Sequence, residues 1–437
     1  MQKVIAYCLS RKPTYARVFA WRDHWLNRAI VASILMFSLT VHAQDKLVPT
    51  SIQLTEAISR ALAEHPELEI FAHRRAALEL RVGQAGVAQR PKIGLVIEDA
   101  LGTGEHSNFG GAQTTLSIAW VLEQDSLDGR IHAAKIAATQ VNFDLEIKAL
   151  DVSAHTAKLF IQSLILEQRL QLAKLAEKQA KSAVLAISKR VQVGKSLVVD
   201  KLQSEAEWVR RQLESEDLEH ELYASHYQLV AQWGGVTEDY SLRGDLLKVP
   251  QIDSLEKQLR KLKQHPALLA FANQQRIAQS EMELARIEAR PKWQISAGIR
   301  RYETSDDFGM VAGISIPWGS DKRTLSKVEI LKAKQAEYQS EAKALSRRLN
   351  TQLFVLLQNI NHSKHVIDTL TSQVIPLLEQ AEEESSRAYD IGKLGYLQWT
   401  LVRQELLSTQ AQLLDAYQDI HLQHIEIQRL TGASLSN

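Results

Sequence analysis

Cysteine is almost absent from this chain: the single one among 437 residues is Cys8. The remainder of the chain therefore has no thiol that could form a disulfide or carry a lipid anchor. Without such covalent constraints, the protein must be held together by packing alone.

Several other features are scarce, and each absence excludes a class of protein. Only 19 glycines and 9 prolines occur, which favours long uninterrupted helices over a loop-rich enzyme. The 52 Lys and Arg residues nearly equal the 51 Asp and Glu residues, so no excess charge indicates a nucleic-acid partner. No P-loop, nucleophile elbow, HExxH motif or dinucleotide fingerprint occurs, so we expect neither an enzyme nor a bound cofactor.

The N-terminal region 1–43 has the composition of a secretory signal peptide. A basic leader precedes the mostly apolar run Ala29 to Val41, and Val41 and Ala43 stand at the −3 and −1 positions of a cleavage site. The apolar run is too short for a membrane span, and no run of about 18 apolar residues follows it. We expect export with cleavage after Ala43; the alternative is a retained signal anchor.

The rest of the chain reads as an internal duplication. The sequence HPELEIFA at 65–72 returns as HPALLAFA at 265–272, an offset of 200. Further pairs follow in order: RPK (90–92) with RPK (290–292), SIAW (117–120) with SIPW (315–318), VGK (193–195) with IGK (391–393), and Gly234 with Gly432. Ordered matches over about 180 residues predict a tandem repeat.

We expect a first repeat at 44–250 and a second at 251–437, each with the same internal order. A helical region divided by the His-Pro pair comes first, at 54–89 and 255–289. A strand pair follows, at 92–122 and 292–318. A long helical hairpin completes each repeat, at 130–233 and 320–432.

The two hairpins are predicted to be unusually long. Residues 130–193 contain no glycine or proline, and one helix of that length would extend about 96 Å. In the second repeat, 320–391 contains a single breaker, Pro376. Such helices exceed what a globular core can use, and they suit the crossing of an aqueous compartment such as the periplasm.

Apolar and small or polar residues alternate in the predicted strands, which indicates a sheet with one apolar face. Its positions include Leu116, Ile118, Trp120, Ile314 and Ile316. Four such strands cannot close a barrel, and open edges invite aggregation. An outer-membrane barrel, with lipid outside and water inside, explains the pattern if several chains contribute strands. The alternative is a soluble β-hairpin cap on a coiled coil.

Longer segments resemble one known family, the outer-membrane factors typified by TolC, and most closely the CzcC-like and CusC-like heavy-metal efflux branch. The segments that carry this resemblance, which covers nearly the whole chain beyond the leader, are LTEAISRALAEHPEL (54–68), AGVAQRPKIGLVIEDALGTG (85–104), TTLSIAWVLE (114–123), VGKSLVVDKLQSEAE (193–207), AGISIPW (312–318), AYDIGKLGYLQW (388–399) and EIQRLTG (426–432).

The resemblance implies a mostly helical α+β fold, a trimeric TolC-like α/β-barrel. Three chains would contribute four strands each to a twelve-stranded outer-membrane barrel, and their antiparallel hairpins would form a periplasmic duct. Ile118, Trp120, Ile314 and Ile316 would face lipid. A passive conduit docked to a periplasmic adaptor and an inner-membrane RND pump is implied, with cobalt, zinc, cadmium, copper or silver as cargo.

Two alternatives to this function stay open at the level of sequence. The same scaffold serves drug efflux or type I protein secretion, and a neighbouring pump gene would distinguish these from metal efflux. From a different class, the chain could be a periplasmic coiled-coil adaptor or spacer, although it lacks the lipoyl-like β domain expected of an adaptor.

In this family the hairpin turns form the periplasmic tip, where an acid six residues after a glycine helps constrict the pore. Gly194 followed by Asp200 matches this pattern, whereas Gly392 followed by Gln398 does not. We therefore assign the pore entrance and adaptor docking to six positions: Gly194, Lys195, Asp200, Gly392, Lys393 and Gln398. The alternative role for Asp200 is to cap the returning helix.

Two histidine pairs, His362–His365 and His421–His424, each place two imidazoles on one helix face. No third or fourth ligand stands beside either pair, so we expect solvated or packed histidines and no metal site. His65 and His265 recur with the repeat, which favours a capping or packing role.

Overall fold

The computed structural model describes residues 50–235, 240–319 and 322–432. The expected signal peptide at 1–43 lies outside these residues. Within them, no helix combines the length and the apolar character needed to cross a membrane.

Each repeat contains two short helices, two strands and a long helical hairpin. The helices of the described part are α1 (Leu54–Glu64), α2 (Pro66–Ala85), α3 (Gln124–Ala138), α4 (Gln140–Gln192), α5 (Val198–Val230), α6 (Leu255–Leu262), α7 (Pro266–Glu288), α8 (Lys322–Thr369), α9 (Ile375–Asp390) and α10 (Tyr396–Thr431). The strands are β1 (Thr50–Gln53), β2 (Lys92–Glu98), β3 (Gln113–Leu122), β4 (Tyr240–Arg243), β5 (Trp293–Tyr302) and β6 (Asp307–Ser315).

The His-Pro pair starts a helix in the same way in both repeats. Nδ1 of His65 and Nδ1 of His265 each accept a hydrogen bond from the backbone N–H two residues on, at 3.2 and 3.1 Å. Pro66 and Pro266 occupy the first helical turn, where no backbone N–H is required. The sequence-based expectation for these histidines is confirmed, because both act as N-caps.

The two helices that follow end differently with respect to the predicted bounds 89 and 289. The first one, α2, ends at Ala85 with Gly86 as its C-cap, whereas its counterpart α7 continues to Glu288, next to the Arg290 segment. The proline is therefore the nearby stop only in the second repeat, since the glycine ends the helix first in the other.

The four strands of the repeats form one antiparallel sheet in the order β2-β3-β5-β6. The strand pairs of the two repeats therefore lie side by side in one sheet. They meet where β3 pairs with β5, from Gln113 opposite Tyr302 to Leu122 opposite Trp293. Each predicted strand-pair segment, 92–122 and 292–318, contains two paired strands.

A second, two-stranded sheet escaped the sequence analysis. Strand β1 pairs in parallel with β4, so that Ile52 lies beside Leu242. Both strands pack with α1 against α4, in a core that includes Ile58, Phe160 and Leu229. Each strand is only four residues long, which leaves too little sequence for a period-two pattern to be recognised.

The first long helix is not continuous, which corrects the expectation for 130–193. It begins earlier, at Gln124, and is interrupted at Thr139. Asn273 of α7, only 2% exposed, accepts a hydrogen bond from the Thr139 hydroxyl at 2.9 Å and donates one to Gln140 Oε1 at 3.0 Å. Helix α4 alone has 53 residues and extends about 80 Å.

In the second repeat the interruption lies elsewhere. Helix α8 is followed by a π-helical turn, Leu370–Val374, and α9 then begins just before Pro376. The hairpin is completed by α10, which packs against α8, α9 and α4. A second core, with Leu353, Ile360 and Ile420, joins α8 to α10.

Candidate functional site at the sheet and the hairpin tips

The four-stranded sheet has one apolar face. Its register places Ile118 beside Ile93 on β2 and Ala297 on β5, and Ile314 beside Ile295. In the described part of the chain, no second layer covers this face. Leu116, Ile314 and Met310 are 55%, 68% and 92% exposed.

The opposite face carries small and polar residues. Ser117 lies between Gly94 and Gly298, and Ser296 lies beside Gly313. At Gly298 a β-carbon would lie 2.6 Å from the Leu116 carbonyl oxygen, so the strands approach each other too closely there for a side chain. The sheet therefore has one apolar face and one polar face with small side chains.

Arg300 is a large charged residue on the polar face, and it joins three strands. From β5, its guanidinium donates to Thr115 Oγ1 at 2.9 Å and Gln113 Oε1 at 2.8 Å, both on β3. It also donates to Glu98 Oε2 on β2 at 2.8 Å. These charge-assisted bonds hold the end of the sheet that lies away from the helices.

The remaining predicted sheet residues lie near the end that meets the helices. Trp120 and Trp293 are 41% and 50% exposed, and Trp318, three residues beyond β6, is fully exposed. Ile316 also lies beyond the last residue of β6 rather than in the strand. Ile118, Trp120 and Ile314 lie on the apolar face by register, as the alternation predicted.

Both outer edges of this sheet are unpaired in the described part of the chain. Strand β2 pairs only with β3, and β6 pairs only with β5. An open sheet of this kind exposes a row of backbone donors and acceptors on each side.

The two hairpin turns are built alike. Gly194 and Gly392 have φ angles of 72° and 76°, a left-handed backbone conformation that glycine adopts readily. The N–H of Lys195 donates to the Arg190 carbonyl, and the N–H of Lys393 donates to the Ala388 carbonyl, both at 2.8 Å. These are Schellman turns, which satisfy the last carbonyls of α4 and α9.

Asp200 and Gln398 have one structural role in common. Asp200 Oδ2 accepts a hydrogen bond from the Leu197 N–H at 3.2 Å, and Gln398 Oε1 accepts one from the Gly395 N–H at 3.0 Å. Each side chain caps the N-terminus of its return helix. The amide of Gln398 accepts the same kind of hydrogen bond as the carboxylate of Asp200, but it carries no charge.

An aromatic stack, which the sequence analysis missed, joins the two hairpins near their tips. Tyr389 and Trp399 are stacked with 4.8 Å between ring centroids and 12° between ring planes. Arg190 of α4 covers the outer face of Tyr389, and Arg403 covers Trp399, at 4.6 and 4.2 Å from the guanidinium carbon to the ring centroid. Such cation–π contacts stabilise the tips against separation.

Tyr396 packs edge-on against both stacked rings. Burial, followed by the nearby Glu207 carboxylate, raises the pKa of Tyr396 to about 12. Tyr389, Tyr396 and Trp399 are all buried and form a small core with Ala183 and Ile187 of α4. The signal was present in the sequence: three aromatic residues within eleven positions of a chain with only 6% aromatics.

The two histidine pairs lie in different surroundings. In the residues that the structure describes, no three His, Cys, Asp or Glu side chains are grouped to hold a metal ion. His362 and His365 are exposed on α8, whereas His421 hydrogen-bonds through Nε2 to the Leu246 carbonyl at 2.9 Å. Burial lowers the pKa of both His421 and His424.

The outer membrane efflux protein family model matches residues 57–235, the first repeat from α1 to the end of its hairpin. This part of the chain is therefore similar to that family. It is 23% identical to the cobalt-zinc-cadmium resistance protein CzcC of Cupriavidus metallidurans, over 87% of this chain and 90% of the relative. Relatives of this kind are outer-membrane efflux channels and not enzymes.

Solved structures show the same fold. The channel protein CusC superposes with a TM-score of 0.70 at 15% identity, over 94% of this chain and 99% of its own. A membrane protein from Pseudomonas aeruginosa gives a TM-score of 0.72 at 12% identity, over 89% and 92% of the two chains. The fold is therefore TolC-like, with helical hairpins attached to a strand sheet.

Proposed function

We propose that three copies of this chain close a twelve-stranded barrel in the outer membrane and conduct heavy-metal cations out of the cell. The observation that carries this proposal is the sheet with one exposed apolar face and two unpaired edges. Four strands are too few to close on themselves, and transmembrane barrels of bacteria have eight strands or more. In three copies, with β6 of each beside β2 of the next, the backbone donors and acceptors of every edge strand would be paired.

The two faces of the sheet support the same arrangement. The apolar face, with Ile118, Trp120 and Ile314, would contact lipid acyl chains, and Ile316 and the exposed tryptophans would lie at the membrane interface. The small polar face, with Gly94, Ser117 and Gly298, would line a water-filled lumen.

Edge helices give a second reason for assembly. Helix α5 contacts α4 and the short turn after it, and its other side carries apolar residues more than half exposed, among them Leu202, Val209, Leu213, Tyr223 and Tyr227. In the described part of the chain nothing covers them. A neighbouring copy would bury this stripe, which gains about 25 cal/mol for each Å² of apolar surface.

The hairpin tips would form the periplasmic entrance and dock the adaptor. Gly194, Lys195, Gly392 and Lys393 form the turns themselves. Around them, Val193, Leu197, Ile391 and Leu397 are 59–70% exposed, a surface that another protein can cover. Asp200 would add negative charge near the entrance, where Gln398 adds none.

The cargo and partners follow from likeness to relatives. The relative CzcC is named for resistance to cobalt, zinc and cadmium, and it matches this chain over nearly its full length. We extend that cargo class to this chain. A passive channel requires an inner-membrane RND pump and a periplasmic adaptor, and export to the outer membrane requires the signal peptide expected at 1–43.

Two measurements test this function. Purified protein should have three times the mass of one chain in detergent and should conduct in planar bilayers; a non-conducting monomer would overturn the proposal. Deletion of the gene should reduce growth on zinc, cadmium, cobalt, nickel, copper or silver. Growth of the same strain on a panel of drugs is measured for comparison. If the deletion strain were sensitive to drugs but not to metals, the proposed channel would stand and the proposed metal cargo would be refuted.

A further inference from the structure

Charged side chains are unevenly distributed along the polar face of the four-stranded sheet. By strand register, the described strands place four of them on this face. Lys92 stands at the end that meets the helices, and Glu98, Arg300 and Asp307 stand at the opposite end, called the outer end below. Between the two ends this face holds glycine, alanine, valine, serine, threonine and glutamine. The charge of the polar face is therefore decided mainly at its outer end.

At the outer end, the guanidinium of Arg300 is surrounded by side-chain oxygens of the two preceding strands. Its three nitrogens donate to Thr115 Oγ1 at 2.9 Å, Gln113 Oε1 at 2.8 Å and Glu98 Oε2 at 2.8 Å. Gln113 in turn donates through Nε2 to Asp99 Oδ2 at 2.8 Å. These five residues, the outer cluster, combine two carboxylates and two neutral oxygen groups with one cation.

The oxygens of the outer cluster are of the kind that hard divalent cations bind. Carboxylate and amide oxygens are the usual protein ligands of Mg²⁺, Ca²⁺ and Mn²⁺. In this protein the guanidinium engages them instead, and it stays charged at every physiological pH. Because the side chain of Arg300 is attached to the same sheet, it occupies this position at a high effective concentration. A free ion would have to displace it.

The next residue, Arg301, provides an internal comparison. It lies on the apolar face by register, opposite Thr114 and Phe308. Its guanidinium binds Asp306 Oδ1 at 2.9 Å, in the turn that follows β5, and its side chain is 46% exposed, against 26% for Arg300. Both arginines bring positive charge to the outer end, but Arg300 alone of the two is held among the strands on the polar face.

We infer that Arg300 is a specificity-determining residue of the proposed channel: it occupies the carboxylates of the outer cluster and so keeps divalent cations from binding where they leave the pore. A pore for cations works only if each ion binds weakly enough to leave. The inference rests on the proposed function, which puts the polar face in the lumen and the outer end at the extracellular mouth. Three copies would place three such clusters around one opening.

Binding of Mn²⁺ tests this role without any need for conduction. The full-length protein in detergent is titrated with manganese chloride, and binding is followed by loss of the electron paramagnetic resonance signal of the free ion. Arg300→Gln should bind Mn²⁺ about tenfold more tightly than the wild type, because a charge at contact distance is removed. Arg301→Gln should bind as the wild type does. Equal binding by the wild type and Arg300→Gln would overturn the inference.

A double variant identifies the groups that hold the ion. In Arg300→Gln combined with Glu98→Gln the gain in Mn²⁺ binding should disappear, because the carboxylate that the guanidinium releases is also removed. A gain that persists in the double variant would contradict the assignment to the outer cluster.

Block of the potassium current by Mn²⁺ in planar bilayers measures the consequence for transport. Half-block of Arg300→Gln should need about tenfold less Mn²⁺ than half-block of the wild type or of Arg301→Gln. Asp200 is present in every variant, so any block at the hairpin tips is a common background. Equal half-block concentrations would overturn the inference and leave the channel in place. A variant that gains Mn²⁺ binding in a protein that never conducts would refute the proposed function alone.

A further variant tests the same ion pair from its other side, because loss of Arg300 also removes bonds across three strands and could impair assembly. Glu98→Gln keeps an oxygen acceptor for the guanidinium but leaves its charge uncompensated, so the permeability to chloride relative to potassium should rise. Asp306→Asn, which removes the partner of Arg301, is the matched control and should leave the ratio unchanged. An unchanged ratio in Glu98→Gln, or an equal rise in both variants, would overturn the inference.

Discussion

The guanidinium of Arg190 lies 4.6 Å from the ring centroid of Tyr389, and this contact joins the end of α4 to the end of α9. The two residues are 199 positions apart, one in each repeat. Arg190 also donates to the Asp390 carbonyl at 3.2 Å. The two hairpin tips are therefore fastened to each other within one chain.

Replacing Arg190 with alanine should loosen this fastening. The change removes a cation–π contact worth about 1 kcal/mol and a hydrogen bond of similar size. Amide hydrogen exchange should become faster at 183–191 and 389–399. Arg210→Ala is the control, since Arg210 is 70% exposed and makes one long ion pair with Glu207. Equal effects of the two changes would contradict the assigned role.

Replacing Asp200 separates its capping role from its charge. Asp200→Gln copies the second repeat, so the cap on Leu197 should persist with thermal stability nearly unchanged, whereas Asp200→Ala should cost about 1 kcal/mol. If the carboxylate also serves the entrance, both variants should reduce the preference for cations in planar bilayers. Unchanged ion selectivity in Asp200→Gln would show that the carboxylate is only a cap.

Substitutions on β3 and β6 test the two faces of the sheet. Ile118→Arg and Ile314→Arg would place charge on the proposed lipid face, at a cost of about 2–4 kcal/mol each near the bilayer midplane. We expect poor assembly and little protein in the outer membrane. Ser117→Arg should be tolerated, because Ser117 lies on the polar face and its neighbours Gly94 and Gly298 carry no side chain. Equal tolerance of all three would count against the barrel.

Stability should fall in mild acid. Burial lowers the pKa of His265, His421 and His424 from the ordinary value of 6.5. Below pH 6.5 the unfolded chain binds protons that the folded chain does not, so this contribution is complete above pH 6.5 and is lost as the pH falls towards the folded-state values.

Thermal unfolding between pH 7.5 and 5 measures this dependence. His424→Gln should reduce the slope, because one of the buried imidazoles is removed. His362→Gln, at an exposed position of α8, should leave the slope unchanged. A stability that is flat over this range, or a slope insensitive to His424, would contradict the prediction.

Periodic features of long segments could be predicted from the sequence because each is decided locally. The strand alternation and the His-Pro caps depend on neighbouring residues alone, and the structure confirms the caps. Features that depend on distant residues were not visible. At the break at Thr139 the hydroxyl donates to Asn273, which is 134 positions away, and the contact of Arg190 with Tyr389 joins different repeats.

By itself, the sequence determined that this protein is a duplication of strand pairs and long helices, because spacing and composition restrict the backbone within each segment. Only the tertiary structure showed where the long helix of each copy is interrupted. In the first copy the interruption lies at Thr139, beside Asn273 and near the sheet, and in the second a π turn before Pro376 lies nearer the tip. Each interruption depends on contacts between side chains and backbone carbonyls that the fold brings together. The order of residues along the chain does not show those contacts.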